Sequence, residues 1–184
     1  LKGPHIAIGY RGRPEETETT FRASLEGESE TWLRTGDLGF AHQCELFLRG
    51  RLKETIILRG RTMYPQDIEF AVSQSSDQLR SRGCIAFSIP GDATEDLVVV
   101  QELRPNQADI AETLAKEISQ AVRTESDAQI RHLLFVKPGT VTRTTSGKLE
   151  RTACRTRFLA GELNNAVIQR FDHLEEKRDG LTLS

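Results

Sequence analysis

The chain has 184 residues, enough for one ordinary domain or for a small domain with a fragment of another. A hydrophobic fraction of 37% and a charged fraction of 28% suit a globular protein in water. The formal net charge of -2 excludes a generic binder of nucleic acid or anionic membranes, because no basic excess supplies the attraction. No apolar run approaches the roughly 20 residues of a membrane span.

In chain order, the start Leu1-Lys2-Gly3-Pro4-His5 is neither a signal peptide nor a natural initiator, so a piece cut from something longer is expected. Ile6-Ala7-Ile8-Gly9-Tyr10 predicts a short strand. Pro14-Glu15-Glu16 then opens a helical turn carrying Thr20 and Phe21, with acids suited to its amino end. A polar, Glu-rich loop precedes Trp32-Leu33-Arg34-Thr35-Gly36-Asp37-Leu38. Short strands are expected around Leu46-Phe47-Leu48 and Thr55-Ile56-Ile57-Leu58, with Gly50-Arg51-Leu52-Lys53 as the connector between them.

The pattern then changes. Pro65 suits the first turn of a helix on which Ile68, Ala71 and Val72 fall at helical spacing. Residues 84–89 and 97–100 predict strands. Ile110, Leu114, Ile118 and Val122 recur every four residues as one apolar helix stripe, leaving Glu112, Lys116 and Arg123 to water. Residues 130–136 return as a strand and the polar loop 137–147 follows. A helix is expected to begin near Lys148 and to contain Ala153 and Phe158. This order predicts a small α+β domain, a sheet flanked by helices, over residues 53–163. Residues 1–52 lack a core of their own and read as the last, β-rich segment of a preceding domain. Residues 164–184 read as a charged tail or linker.

Cys44, Cys84 and Cys154 are widely spaced and form no CxxC pair, with four histidines scattered among them. Reduced, mostly buried thiols in a cytoplasmic protein are expected, and no metal site.

Three segments carry possible chemistry. Thr142-Arg143-Thr144-Thr145-Ser146-Gly147-Lys148 combines hydroxyls, a glycine and a mobile cation, the parts of a phosphate-binding loop beside a helix start. It is not a P-loop: position 142 is Thr where that motif needs Gly, and Leu149 follows the lysine where Ser or Thr is needed. Composition alone is also satisfied by a solvated lysine in a polar turn. Thr35-Gly36-Asp37 presents a carboxylate that could bind sugar hydroxyls, or is an ordinary turn. In Gly50-Arg51-Leu52-Lys53 the arginine could reach a hydroxyl or phosphate, or could serve a structural ion pair.

In order, the blocks Thr35-Gly36-Asp37-Leu38, Gly50-Arg51-Leu52-Lys53, residues 59–69 (Arg-Gly-x-x-x-x-Pro-x-x-Ile-Glu) and residues 146–151 (Ser-Gly-Lys-x-x-Arg) closely resemble the adenylate-forming superfamily. That superfamily comprises acyl ligases, luciferases and the adenylation domains of peptide synthetases. Arg59-Gly60-Arg61 followed by Tyr64-Pro65-Gln66-Asp67-Ile68-Glu69 looks most like the carboxy-terminal region of a fatty acyl-AMP ligase. Glu54 stands where Asp is commoner, Met63 where a polar residue is usual, and Arg143 in a loop that often carries Pro-Lys.

The resemblance implies an enzyme that activates a fatty acid with ATP to an acyl-adenylate and passes the acyl group to the phosphopantetheine arm of an acyl carrier protein. It implies ribose binding by Asp37 with help from Arg51, a catalytic Lys148 approaching the acyl carboxylate and α-phosphate, and a hinge at Lys53. It also implies an acyl-transfer face at Gly60 and Arg61, where Gly60 either leaves room for the pantetheine arm or simply meets a turn requirement. Mg²⁺ ligands are expected in an amino-terminal domain outside this chain, as are the family's ATP phosphate loop and acyl pocket, so the chain by itself is expected to fold, at least beyond Lys53, but not to adenylate. An acyl-CoA synthetase and a non-catalytic docking or regulatory module remain the alternatives.

Overall fold

In the computed structural model, which describes residues 1–79, 83–92 and 94–174, the chain divides into two units, one over residues 1–53 and one beginning at Glu54.

The first unit is built from short elements. Helix α1 (Pro14–Phe21) begins on a proline, whose missing N–H is no loss in a first turn, and Glu15 and Glu16 follow at the positive end of the helix dipole. Strands β1 (Ala23–Ser24) and β2 (Thr31–Trp32) pair antiparallel. Strands β3 (Asp37–His42) and β4 (Glu45–Arg51) form a hairpin. Its turn residues, Gln43 and Cys44, both take positive φ (48° and 65°), the hand that matches strand twist. Phe40 stacks on Phe47 across the ladder, with centroids 5.1 Å apart.

The strand expected from Ile6 to Tyr10 does not form. Tyr10 donates its N–H to the Thr17 hydroxyl of α1 at 2.9 Å, and Ile8 is 95% exposed. Alternating apolar residues make a strand only where a neighbour supplies ladder bonds, and here a side chain satisfies the backbone instead.

The 3₁₀ turn Leu52–Glu54 spans the division. Beyond it, strands β5 (Ile56–Leu58) and β6 (Arg61–Met63) form a small hairpin that leads into helix α2 (Pro65–Gln74). Strands β7 (Cys84–Pro90) and β8 (Glu95–Glu102) follow as an antiparallel pair. Helix α3 (Ala111–Ser126) then crosses over to strand β9 (Ile130–Val136), which lies parallel to β8, as a helical crossover permits. Helix α4 (Arg151–Leu159) and strand β10 (Val167–Asp172) complete a four-stranded sheet of order β10-β9-β8-β7.

Both faces of this sheet are buried, so alternate residues of one strand serve two cores. Cys84, Leu97, Val99, Leu133 and Phe135 pack with Ile68 and Val72 of α2 and with Leu114, Ile118 and Val122 of α3. Ile85, Phe87, Val98, Val100 and Leu134 pack with Cys154 of α4, Val141 and Leu163. Double burial is the reason these strands read as continuous apolar runs. Each such side chain contributes about 1.5–3 kcal/mol on leaving water. The second unit is thus the α+β domain with a helix-flanked sheet expected from the pattern.

Two expectations are corrected. The tail expected over residues 164–184 is structured through residue 174: Glu162–Ala166 make a 3₁₀ turn and β10 pairs antiparallel with β9. Ile168 and Phe171 pack against the first core, with Phe171 edge-on to Phe135 at 5.9 Å, and Asp172 bonds His132. The remainder of that tail lies outside the described residues. The helix expected near Lys148 begins instead at Arg151, because residues 143–149 are consumed by a hairpin. No helix among the described residues is long and apolar enough to cross a membrane.

Candidate functional site

Asp37 and Arg51 close the open end of the β3–β4 hairpin and face each other in its register. The Thr35 hydroxyl accepts the Asp37 N–H at 3.1 Å, and the Gly36 carbonyl accepts the Leu52 N–H at 2.8 Å, so both strand ends are pinned by the turn that precedes them. Arg51 Nε lies 3.3 Å from Asp37 Oδ1, with the two side chains 65% and 34% exposed. An exposed pair of this kind adds at most about 1 kcal/mol to stability. What it does is orient a carboxylate and a guanidinium side by side at the end of the ladder. Lys53 is exposed in the 3₁₀ turn Leu52–Glu54.

In the second unit, Lys148 leaves the end of a tight hairpin. Arg143 and Leu149 form a bridge, Thr144 donates its N–H to the Lys148 carbonyl at 2.9 Å, and Gly147 donates to the Thr144 carbonyl at 2.8 Å. Gly147 closes the three-residue loop at φ 81°, a left-handed torsion that costs glycine little. The Lys148 N–H donates to the Thr144 hydroxyl at 3.1 Å, and Arg143 caps the Gly147 carbonyl at 3.0 Å. The amides of Thr144, Gly147 and Lys148 are therefore all used inside the hairpin, and no helix starts there to cradle a phosphate. The one cationic side chain this loop presents without a partner among the described residues is Lys148. Lys148 is exposed, and its ammonium makes no hydrogen bond or ion pair among the described residues.

Three residues further on stands a group that pattern reading leaves without a role. Arg151, the first residue of α4, donates Nε and Nη2 to the two carboxylate oxygens of Glu69 on α2, at 2.8 and 2.6 Å. Its Nη1 donates to Glu54 at 2.8 Å, and Glu69 Oε1 also accepts the Ala86 N–H of β7 at 3.0 Å. Burial works against the Arg151 charge, but the hydrogen bonds and charges of Glu69, then of Glu54, outweigh it and hold its pKa above the ordinary value. Glu69 and Arg151 were the last letters of two matched blocks. Their pairing, 82 positions apart, is invisible to local pattern.

Gly60 and Arg61 belong to the β5–β6 turn. Leu58 and Arg61 are ladder partners, so Arg59 and Gly60 alone make the turn, at φ 51° and 78°. A Cβ on Gly60 would meet nothing within 4 Å. Torsion, not crowding within this chain, is what requires glycine there. Arg61 pairs with Asp127 at 2.5 Å and Arg59 donates to Gln129 at 3.2 Å, which ties the turn to the loop after α3. Arg59, Arg61, Asp96, Asp127, Arg131 and His173 rim a cavity of about 200 Å³ that Lys148 does not line. Its charges are mixed, and Arg131 approaches Asp96 at 3.9 Å. Among the described residues no group of three or more His, Cys, Asp or Glu is placed to hold a metal ion.

Known proteins resemble this chain closely. The family model described as Disco-interacting protein 2-like, AMP domain, matches residues 53–167. The medium-chain-fatty-acid–[acyl-carrier-protein] ligase JamA of Moorena producens is 44% identical over 165 residues, covering 88% of this chain and 28% of that protein. The long-chain-fatty-acid–AMP ligase FadD26 of Mycobacterium marinum is 35% identical over 173 residues, covering 88% of this chain and 29% of that protein. The fatty acid AMP ligase of Legionella pneumophila, a solved structure, aligns with a TM-score of 0.53 and 31% identity over 91% of this chain and 29% of its own. The chain thus spans less than a third of the length of each of these relatives.

Proposed function

This chain belongs to the Disco-interacting protein 2-like AMP-domain family of adenylate-forming enzymes, and we propose that it serves a fatty acyl-AMP ligase. In that enzyme a fatty acid carboxylate oxygen attacks the α-phosphorus of ATP, the bond to pyrophosphate breaks, and an acyl-adenylate forms. The phosphopantetheine thiol of an acyl carrier protein then attacks the acyl carbonyl, AMP departs, and a thioester results.

The observation that carries this reading is Lys148: an exposed ammonium, without a partner among the described residues, on a braced hairpin within the family's matched region. Bringing a carboxylate onto a phosphate joins two anions, and a positioned cation offsets the charge of the transition state. A lysine suits the task because its long stem allows a point charge to be inserted on closure and later withdrawn. Asp37 holds the ribose hydroxyls and Arg51 steadies it. Lys53, exposed in a single 3₁₀ turn, absorbs the torsion that swings the second unit between the two half-reactions. Gly60 and Arg61 then face the acyl-transfer step. ATP is a substrate, and Mg²⁺, whose ligands are proposed to lie outside this chain, would supply charge to offset that of the phosphates when bound.

The test is acid-dependent ATP–pyrophosphate exchange by the full-length protein with straight-chain fatty acids from octanoate to palmitate, followed by acyl transfer to a phosphopantetheinylated carrier protein. No exchange with any acid overturns the ligase. Acyl-CoA formation as efficient as carrier acylation overturns the choice of acceptor. The chain by itself is expected to give no exchange.

A further inference from the structure

The hairpin that carries Lys148 is held at both arms by helix α4. Arg157, near the end of the helix, donates to the Thr140 carbonyl and the Thr142 hydroxyl, each at 3.1 Å, fixing the entering arm. The leaving arm runs from Lys148 through Leu149 and Glu150 into Arg151, and Glu150 donates its N–H to the Thr142 carbonyl at 3.0 Å. Arg151 is the anchor of that arm. Its fork grips both oxygens of Glu69, and its remaining nitrogen grips Glu54, the residue that follows Lys53. The three side chains are only 12%, 11% and 20% exposed, so none can leave without stranding a charge.

We propose that Arg151 is a positioning residue for Lys148, locking the lysine hairpin and Glu54 into one rigid body with α2 and the sheet. The proposal rests on the adenylation role proposed above for Lys148. A planar guanidinium sets two directions at once, toward Glu69 and toward Glu54, which an ammonium cannot do. With Glu54 held, torsion at the hinge is confined to Lys53 and is not dissipated in the residues after it. With the hairpin held, that rotation delivers Lys148 to one place. Misplacing a reacting group by about 1 Å costs on the order of 10²-fold in rate, so the clamp matters even though it touches no substrate.

The test is a double-mutant cycle in the full-length enzyme, read as acid-dependent ATP–pyrophosphate exchange for Arg151→Lys, Lys148→Ala and the pair. Arg151→Lys keeps the charge and loses the fork, and a drop in kcat of about 10- to 10²-fold is expected with KM for ATP little changed. In the Lys148→Ala background the same substitution is expected to cost nothing more, because it acts through the lysine. Equal costs in both backgrounds overturn the proposal and leave the role of Lys148 intact. A Lys148→Ala enzyme with undiminished exchange overturns the lysine's role instead. A physical readout is independent of activity: hydrogen exchange at the Lys148 N–H, bonded to Thr144, is expected to quicken in Arg151→Lys while the amides of β8 keep their protection. Unchanged exchange at Lys148 overturns the clamp. Should Arg151→Lys fail to fold, Glu54→Ala removes one arm only and is put through the same cycle, with the same two outcomes.

Discussion

Asp37 stands directly opposite Arg51 at the open end of a two-stranded ladder, with Arg51 Nε 3.3 Å from its carboxylate. Thirteen residues of intervening hairpin bring together two groups that motif spacing only ranks in order. The pair is too exposed to matter much for stability, so its value is in orientation. For the full-length enzyme, Asp37→Ala is expected to lower kcat/KM for ATP by about 10- to 10²-fold, the cost of one charged hydrogen-bonding group. Arg51→Ala is expected to have a smaller effect in the same direction. Steady-state kinetics with ATP varied checks both, and an unchanged kcat/KM for ATP in Asp37→Ala overturns the ribose-binding role proposed for the carboxylate. The melting temperature is expected to stay within a few degrees of the parent, since surface changes of this kind stay near ±0.5 kcal/mol.

Lys148 gives a sharper split. Its ammonium has no partner among the described residues, so Lys148→Ala strands no buried group and the fold is expected to be unaffected. Adenylation is expected to fall by about 10²-fold or more, the loss seen when one preorganised charge-stabilising donor is removed. Acyl transfer from a supplied acyl-adenylate is expected to be nearly normal. Single-turnover measurement of the two half-reactions decides: equal losses in both would sink the assignment.

What was legible in the sequence follows from how local each signal is. Strands β7, β8 and β9 are doubly buried, so Cys84 to Phe87, Leu97 to Val100 and Ile130 to Val136 announce themselves without reference to partners. The four-residue recurrence from Leu114 to Val122 does the same for α3. Ile6 to Tyr10 looks equally apolar but has no ladder partner among the described residues, and a strand needs one. The edge strand β10 is mixed in character, with Gln169 and Arg170 between Ile168 and Phe171, and its charged end is stabilised by His132, 40 residues away. The start of α4 shifts because Gly147 closes a hairpin in place of preceding a helix. Lys148 is found by motif, whereas the Arg151 clamp depends on partners 82 and 97 positions away that no periodicity links.

Gly60 separates a torsional demand from a spatial one. Its φ of 78° is unfavourable for other residues, but a side chain would meet open space. Gly60→Ala is therefore expected to destabilise by about 1–2 kcal/mol. Gly60→Asn is expected to cost less, because asparagine tolerates the left-handed region. Urea unfolding of the chain measures both, and equal losses would show that torsion is not the controlling factor. In the full-length enzyme the Asn variant, stable but with a side chain at the turn, reports on the acyl-transfer face. Transfer lost with adenylation retained supports a pantetheine arm passing over Gly60.

The cysteines supply a pH dependence with a definite sign. Burial raises the Cys84 thiol well above its ordinary 9.0, with the Glu69 charge adding and the Arg151 charge opposing. Burial also pushes Cys154 up to about 11, against the pull of Arg157. Cys44 is exposed. In the native chain at neutral pH, Cys44 is expected to react quickly with a disulfide reagent, and Cys84 and Cys154 only on unfolding. Both buried groups hold their protons more tightly folded than unfolded. Their contribution to stability is therefore complete below pH 9.0 and is lost as pH rises through the folded values. Urea midpoints are expected to fall between pH 8.5 and about 10.5, and Cys154→Ala is expected to flatten that fall while lowering the midpoint at pH 8 through lost packing. A midpoint in the parent chain that rises or stays level over this range would mean that the thiols reach water in the folded state.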